Sequence, residues 1–251
     1  MRVVQFRPIP HVNLTDQVYH AIKHRILSNE FEVGSRLLDE ELAQQLSVSR
    51  TPVREALLRL NRERLVEIIP RSGTRVRTFT ERDIEEIFDI RIALEALAVR
   101  RAASRIEDAQ LVRLRQTYER AEARLKNGDP KPALDFDTEL HQTILRSSGN
   151  ERLQEMMTTI NDFVTLFRNI GAGTPLHRGF NYRHREIVRA LERRKADLAA
   201  RALSEHLEVA KTELFRDFKQ RRLLEPPEIS TGRARKAARR VNPVRRPFKL
   251  A

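Results

Sequence analysis

The sequence predicts a mainly α-helical protein, with an N-terminal winged helix-turn-helix and a C-terminal all-helical antiparallel bundle of six to seven helices. Three observations predict it. Apolar residues recur at helical spacing along most of the chain. A β signal is confined to residues 66–77, "VEIIPRSGTRVR". Clear Gly, Pro and Asn breaks cut the remainder into segments of helix length.

The elements follow in order. A first helix spans about 15–28, with Val18, Ile22, Ile26 and Leu27 on one side. After the Gly34 turn, Asp39 is expected to cap a short helix ahead of Glu40 and Glu41. A third helix covers about 50–64. Two β-branched runs then flank "PRSG", the pattern of a hairpin. Thr80 opens a helical series over about 80–105, 108–127, 131–148, 150–170, 178–193 and 197–218. "NGDP" at 127–130 and Gly149-Asn150 are breaks, with Asn150 placed to cap the next helix, and "GAGTP" at 171–175 marks a loop. This divides the chain into an N-terminal arm (1–12), a head (13–77), a helical domain (80–220) and a basic tail (221–251), expected to be disordered.

Composition narrows the classes. With 251 residues and 40% hydrophobic content the chain can form two domains with a sizeable core. No apolar run is long enough for a membrane span, and the N-terminus lacks the apolar stretch of a secretory signal. There are no cysteines, which excludes disulfides and thiolate metal sites and fits a reducing cytoplasm. Of the formal charge of +13, eight positive charges lie in residues 231–251, which hold no acid, so the other 230 residues carry only +5. Net charge is therefore a weak argument for nucleic acid, and a local motif must carry it.

Residues 40–60, "EELAQQLSVSRTPVREALLRL", supply that motif. Leu42, Ala43 and Leu46 form a small apolar face, "SVS" turns the chain, and Val48 plugs the junction. Ser49 or Thr51 can cap the second helix, and Pro52 sits in its first turn, where a missing N–H costs least. Val53, Leu57, Leu58 and Leu60 form its expected buried side, leaving Arg50, Thr51 and Arg54 at the end of a recognition helix that meets base edges. An arginine there can donate bidentately to guanine O6 and N7. The hairpin offers Arg71, Ser72, Gly73 and Arg75 at a wing tip. An ordinary helical hairpin with a charged face is the competing reading.

The run "VSRTPVREAL" within residues 13–77 resembles the winged-helix head of GntR-family transcription factors. That resemblance implies a dimer reading a palindromic double-stranded DNA operator, in the cytoplasm and associated with the bacterial nucleoid. By the match, Ser49, Arg50, Thr51, Arg54, Arg71 and Gly73 are the implied DNA contacts. In the fatty-acid-regulator branch an arginine often stands where this chain has Glu40, so that contact is not implied here.

A second constellation lies in "DFDTELHQTI". Leu134, Asp137, His141, Ile144 and Leu145 share one helix face, so Asp137 and His141 point inward, one turn apart and able to share an ion. His184 lies on the stripe of Ile187, Val188 and Leu191, and His206 on that of Ala199, Ala202 and Leu203. The turn between these helices centres near residue 195, 11 residues from each histidine. At about 1.5 Å per residue both lie roughly 16 Å from the turn, so an antiparallel pair brings them level. The spacing thus predicts that one aspartate and three histidines converge. A lone inward histidine is more often a hydrogen-bonded core residue, and His11, His20, His24 and His177 show no such convergence.

Residues 80–218 also resemble the FCD effector domain of that branch, through "FDTELHQTILRSSGN" and "HREIVRALERRKADLAARALSEHL". Many FCD members hold a divalent metal through one Asp and three His, which implies a site at Asp137, His141, His184 and His206. Nitrogen and oxygen ligands leave zinc, nickel, manganese or iron open, one ion per chain. Arg91 falls on the stripe of Ile84, Ile87, Phe88, Leu94 and Ala98, where it can clamp a carboxylate or simply pair with Glu95. The expected effector is a small organic acid, sugar acids and di- or tricarboxylates included, and relief of repression is the family's usual mode. A metal-dependent hydrolase and a purely structural metal are the alternatives, the first opposed by the lack of a separate general base and by the head.

Overall fold

A computed structural model describes residues 14–170 and 180–221. The N-terminal arm, the 171–175 loop, His11, His177 and the basic tail beyond residue 221 lie outside the described residues. The head comprises α1 (Leu14–Leu27), β1 (Arg36–Leu37), α2 (Asp39–Gln45), α3 (Arg50–Arg62), β2 (Val66–Ile69) and β3 (Gly73–Val76). Behind it come α4 (Glu81–Ala102), α5 (Asp108–Lys126), α6 (Lys131–Ser147), α7 (Glu151–Ile170), α8 (Phe180–Glu192) and α9 (Ala196–Arg221). The fold is the mainly helical one predicted.

The head differs from expectation in one element. Its sheet has three strands in the order β1-β3-β2, all antiparallel, where the sequence predicts only the hairpin. β1 is two residues long, too short for an alternation to register, yet Leu37 is buried and Arg36 pairs with Arg75 across the sheet. Gly34, at φ +81°, makes the turn into it.

Local chemistry explains most helix ends. Thr80 caps α4 through a reciprocal capping box with Asp83, and Asn150 accepts from the Leu153 amide at the start of α7. Between α2 and α3 the chain reverses through Ser47 at φ +54°, and the Val48 amide donates back to the Ala43 carbonyl at 3.0 Å. Three expectations here need correction. Leu38, not Asp39, occupies the cap of α2; Asp39 is its first helical residue and gives its carboxylate to α3 instead. Ser49 holds the cap position of α3 but makes no side-chain cap bond. Leu58 is exposed, because the buried stripe of α3 runs through Val53, Ala56, Leu57 and Leu60.

Two apolar cores organise the molecule. One lies within the helical domain and includes Val99, Leu114, Phe136, Ile144, Leu191 and Leu203. The other begins in the head with Ile22, Ile26, Val53 and Leu60, and continues without a break into Phe88 of α4, Phe163 and Phe167 of α7, and Leu214 and Phe218 of α9. Phe79 is its hinge: its ring meets Phe163 at 5.9 Å and Phe167 at 5.1 Å, both nearly edge-on. Each such pair adds about 0.5–1.5 kcal/mol beyond area burial. Lys23 of α1 reinforces the junction by pairing with Asp162 of α7 at 2.6 Å and Glu63 at 2.9 Å. In the helical domain, α4 runs antiparallel to α9, tied by Arg100–Asp197 at one end and Lys219–Glu81 at the other. Among the described residues no helix is long and apolar enough to cross a membrane.

Candidate metal centre and DNA-reading surface

Asp137 and His141 stand one turn apart on α6, His184 comes from α8 and His206 from α9. The turn between α8 and α9 passes through Arg194 at φ +54°, where the Lys195 amide donates to the Ala190 carbonyl. That reversal sets the two helices antiparallel and puts the His184 and His206 rings 4.3 Å apart. The level placement predicted from residue counting therefore occurs.

Four ligand atoms, one from each residue, lie within 4.8 Å of one another. Asp137 Oδ1 is 2.9 Å from His184 Nε2, 3.4 Å from His206 Nε2 and 3.5 Å from His141 Nε2. The His141 and His206 Nε2 atoms are 3.4 Å apart. Two donors each about 2.1 Å from a tetrahedral ion stand about 3.4 Å apart, so this spacing fits one divalent cation.

The surroundings favour a ligating state. Nδ1 of His141 is held by the Glu95 carboxylate, which is fully buried, so that the ring turns Nε2 toward the cluster. Burial alone would push the Glu95 carboxyl up, but His141 and Arg91 beside it hold it down at about 2. Burial likewise opposes ionisation of Asp137, and Arg168 and His141 overcome it, keeping the carboxyl well below its usual range. His206 is pushed down to about 3, by burial and then by the neighbouring His184. His141 moves the other way, since Glu95 and Asp137 outweigh its desolvation and favour a proton that an ion would replace.

Arg91 is 4% exposed and donates from Nε to Glu95 at 2.7 Å. It also lines a cavity of about 100 Å³ that opens beside the cluster. Of the two alternatives, the pairing with Glu95 is present, through the Nε edge of the guanidinium, and the side chain also borders the cavity. Leu134, expected to be buried with Asp137, is 40% exposed at the cavity wall. Two partners were missed by sequence reasoning. Glu95 is visible there only as the i+4 neighbour of Arg91. Arg168, which pairs with Asp137 and donates to Thr138 at 3.2 Å, sits near the C-terminal end of α7 with no periodic signal.

In the head, Ser49, Arg50, Thr51 and Arg54 are all exposed at the N-terminal end of α3, and Arg71 and Gly73 at the tip between β2 and β3. Gly73 has φ +88° and Arg71 φ +62°, the left-handed backbone that so tight a tip needs. Arg36, also missed, donates to the Ser72 carbonyl at 2.6 Å and braces the wing from the third strand. Asp39 accepts from Arg50 Nη2 at 3.1 Å and from Arg54 Nε at 2.7 Å.

Comparison with known proteins agrees with this layout. Residues 14–76 match the family described as bacterial regulatory proteins, gntR family, and residues 86–209 match the FCD domain. A probable D-xylose utilization operon transcriptional repressor of Paenarthrobacter nicotinovorans is 31% identical over 195 residues, 77% of this chain and 85% of that protein. The chain belongs to the GntR family. The HTH-type regulator McbR of Escherichia coli is 33% identical over 147 residues, 59% of this chain and 66% of that protein. Its solved structure, E. coli McbR/YncC, covers 83% of this chain and all of that one, with a TM-score of 0.65 and 26% identity. A GntR protein from Rhodococcus, at 23% identity and TM-score 0.65, shares the fold. GntR and FCD proteins are DNA-binding, ligand-responsive transcription regulators, not enzymes, and this chain is one of them.

Proposed function

We propose that this GntR regulator is a cytoplasmic homodimer that represses transcription from a palindromic operator and releases it when a small organic acid enters a metal-centred pocket. The observation that carries the reading is the Asp137–His141–His184–His206 cluster, whose donor atoms stand at the spacing one divalent ion needs. FCD domains often hold a metal, and a relative named a probable transcriptional repressor supports the sign. Arg91, through the guanidinium nitrogens that Glu95 does not take, would hold the effector's carboxylate at the ion, whose coordination would expand beyond the four protein donors. At the operator, Arg50 and Arg54 would donate to base edges, Ser49 and Thr51 to phosphates, and Arg71 with the Gly73 backbone would follow the adjacent groove.

A route for coupling supports the regulatory part. Phe88, Phe167 and Leu214 wall the cavity and also belong to the apolar core that runs into the head. A ligand that prefers one packing of this core would bias the head by its differential affinity for the two states. A structural metal is the competing reading, favoured by the burial of Asp137, His141 and His184.

The test is metal content per chain, on tag-free protein purified without chelator, beside His184→Ala. About one ion per chain, lost in the variant, is expected. No metal in either protein would sink the pocket reading. Chelation that unfolds the domain, rather than altering DNA affinity alone, would favour the structural role.

A further inference from the structure

Resting on the metal-centred reading above, we infer that the pocket takes a small monocarboxylic acid with an apolar body, not a sugar acid or a di- or tricarboxylate. The cavity's size, walls and charge lead there separately.

Its volume is about 100 Å³. Apolar cavities of about 150 Å³ accept a benzene, so a cavity two-thirds that size takes a body of about four heavy atoms. Its walls are Phe88, Leu134, Val164, Phe167, Val209 and Leu214. Among the described residues no hydroxyl or amide side chain lines it. Each guanidinium already holds a carboxylate, Arg91 that of Glu95 and Arg168 that of Asp137, and what Arg91 has left would go to the effector's own carboxylate. A polyhydroxylated ligand would shed its water here for few neutral partners, at a cost of about 1–3 kcal/mol for each unsatisfied group.

Charge then selects the number of carboxylates. A divalent ion, Arg91 and Arg168 bring four positive charges; Asp137, Glu95 and Glu213 bring three negative ones. One positive charge remains, and one carboxylate neutralises it. Glu213 also fixes where a second carboxylate fails. It follows His206 by seven residues on α9, two turns and about 10 Å along the same face. A second carboxylate reaching away from the histidines approaches Glu213 with like charge in a partly dehydrated site.

The experiment is isothermal titration of the full-length, zinc-loaded protein with isovalerate and butyrate, against succinate, citrate and gluconate. The monocarboxylates should bind about tenfold tighter than each of the others. Glu213→Gln should tighten succinate by about fivefold and move isovalerate by less than about twofold. Equal or tighter binding of citrate or gluconate overturns the inference and leaves the carboxylate-binding centre intact. Failure of all five acids on protein with one zinc per chain overturns both the inference and the organic-acid reading. Failure to load zinc removes the centre itself.

Discussion

The head and the pocket both depend on arginines paired with carboxylates, but they use the pairs in opposite ways. At the start of α3, Arg50 and Arg54 share Asp39 in the open, with side chains 49% and 62% exposed. In the pocket, Arg91 and Glu95 are 4% and 0% exposed, and Glu95 also carries His141. An exposed pair exchanges water for a partner at little net gain, about 0–1 kcal/mol. A buried pair is a commitment, since neither member can be removed without leaving a desolvated charge. The proposed DNA contacts would therefore take these arginines without endangering the fold of the head, whereas the pocket's charges are bound to one another.

The largest expected effect tests that second claim. Glu95→Ala strands the buried Arg91 and His141 and should cost about 3–5 kcal/mol of stability, read by urea denaturation of the metal-free protein. A cost below about 1 kcal/mol would mean that water reaches the pair and that the contrast with the head is wrong. Acid should act on the same group. The Glu95 carboxyl is held at about 2 against an ordinary 4.5. Its contribution is thus fully present above the ordinary value and is lost as pH falls through the folded one. Glu95→Gln should flatten the stability profile over that acidic interval, and an unchanged slope would remove Glu95 from the account.

Phe79→Ala comes next, because it attacks the core that joins the two regions. Loss of a buried phenylalanine costs about 3–5 kcal/mol when the site cannot collapse, and the Phe163 and Phe167 edges give it little freedom to do so. The joined core makes a single unfolding transition the expectation, with head and helical domain lost together. Two separated transitions in calorimetry would show that the head folds independently of the pocket.

How much of each region was legible follows from the same contrast. The helix-turn-helix is one contiguous stretch, so its turn, its Pro52 and its exposed arginines are visible in order. The metal cluster spans 70 residues, yet it was legible because helix rise and the turn before Ala196 place His184 and His206 by arithmetic. Arithmetic along a helix says nothing about what packs across from it. Arg168 comes to Asp137 from α7, and Glu95 comes to His141 from α4, through packing that no local pattern encodes. The two-residue β1 is too short to leave a pattern, and Asp39 reads as a cap because its partners lie 11 and 15 residues away on α3.

Arg54→Ala should leave urea stability unchanged within about 0.5 kcal/mol and cost about 1–3 kcal/mol of discrimination at one base pair. The substrate for that comparison is the duplex selected by the wild-type protein from a randomised pool, with single base substitutions around it. Uniform weakening across all substituted duplexes would assign Arg54 to phosphate instead.

The smallest effect divides the head most finely. Asp39→Asn removes a carboxylate that two arginines hold below its usual pKa, Arg54 foremost, yet its exposure limits the stability change to less than about 1 kcal/mol. Arg54 donates to Asp39 through Nε, which leaves its terminal nitrogens free to form a fork toward a guanine. In the proposed complex Asp39 would order the fork before DNA arrives. Each side chain left to order at binding costs about 0.5–1.5 kcal/mol. The variant should therefore bind the selected operator several-fold more weakly, with its salt slope unchanged because no phosphate contact is lost. Tighter binding by Asp39→Asn would reverse the assignment, making Asp39 a competitor for the arginines that DNA must displace.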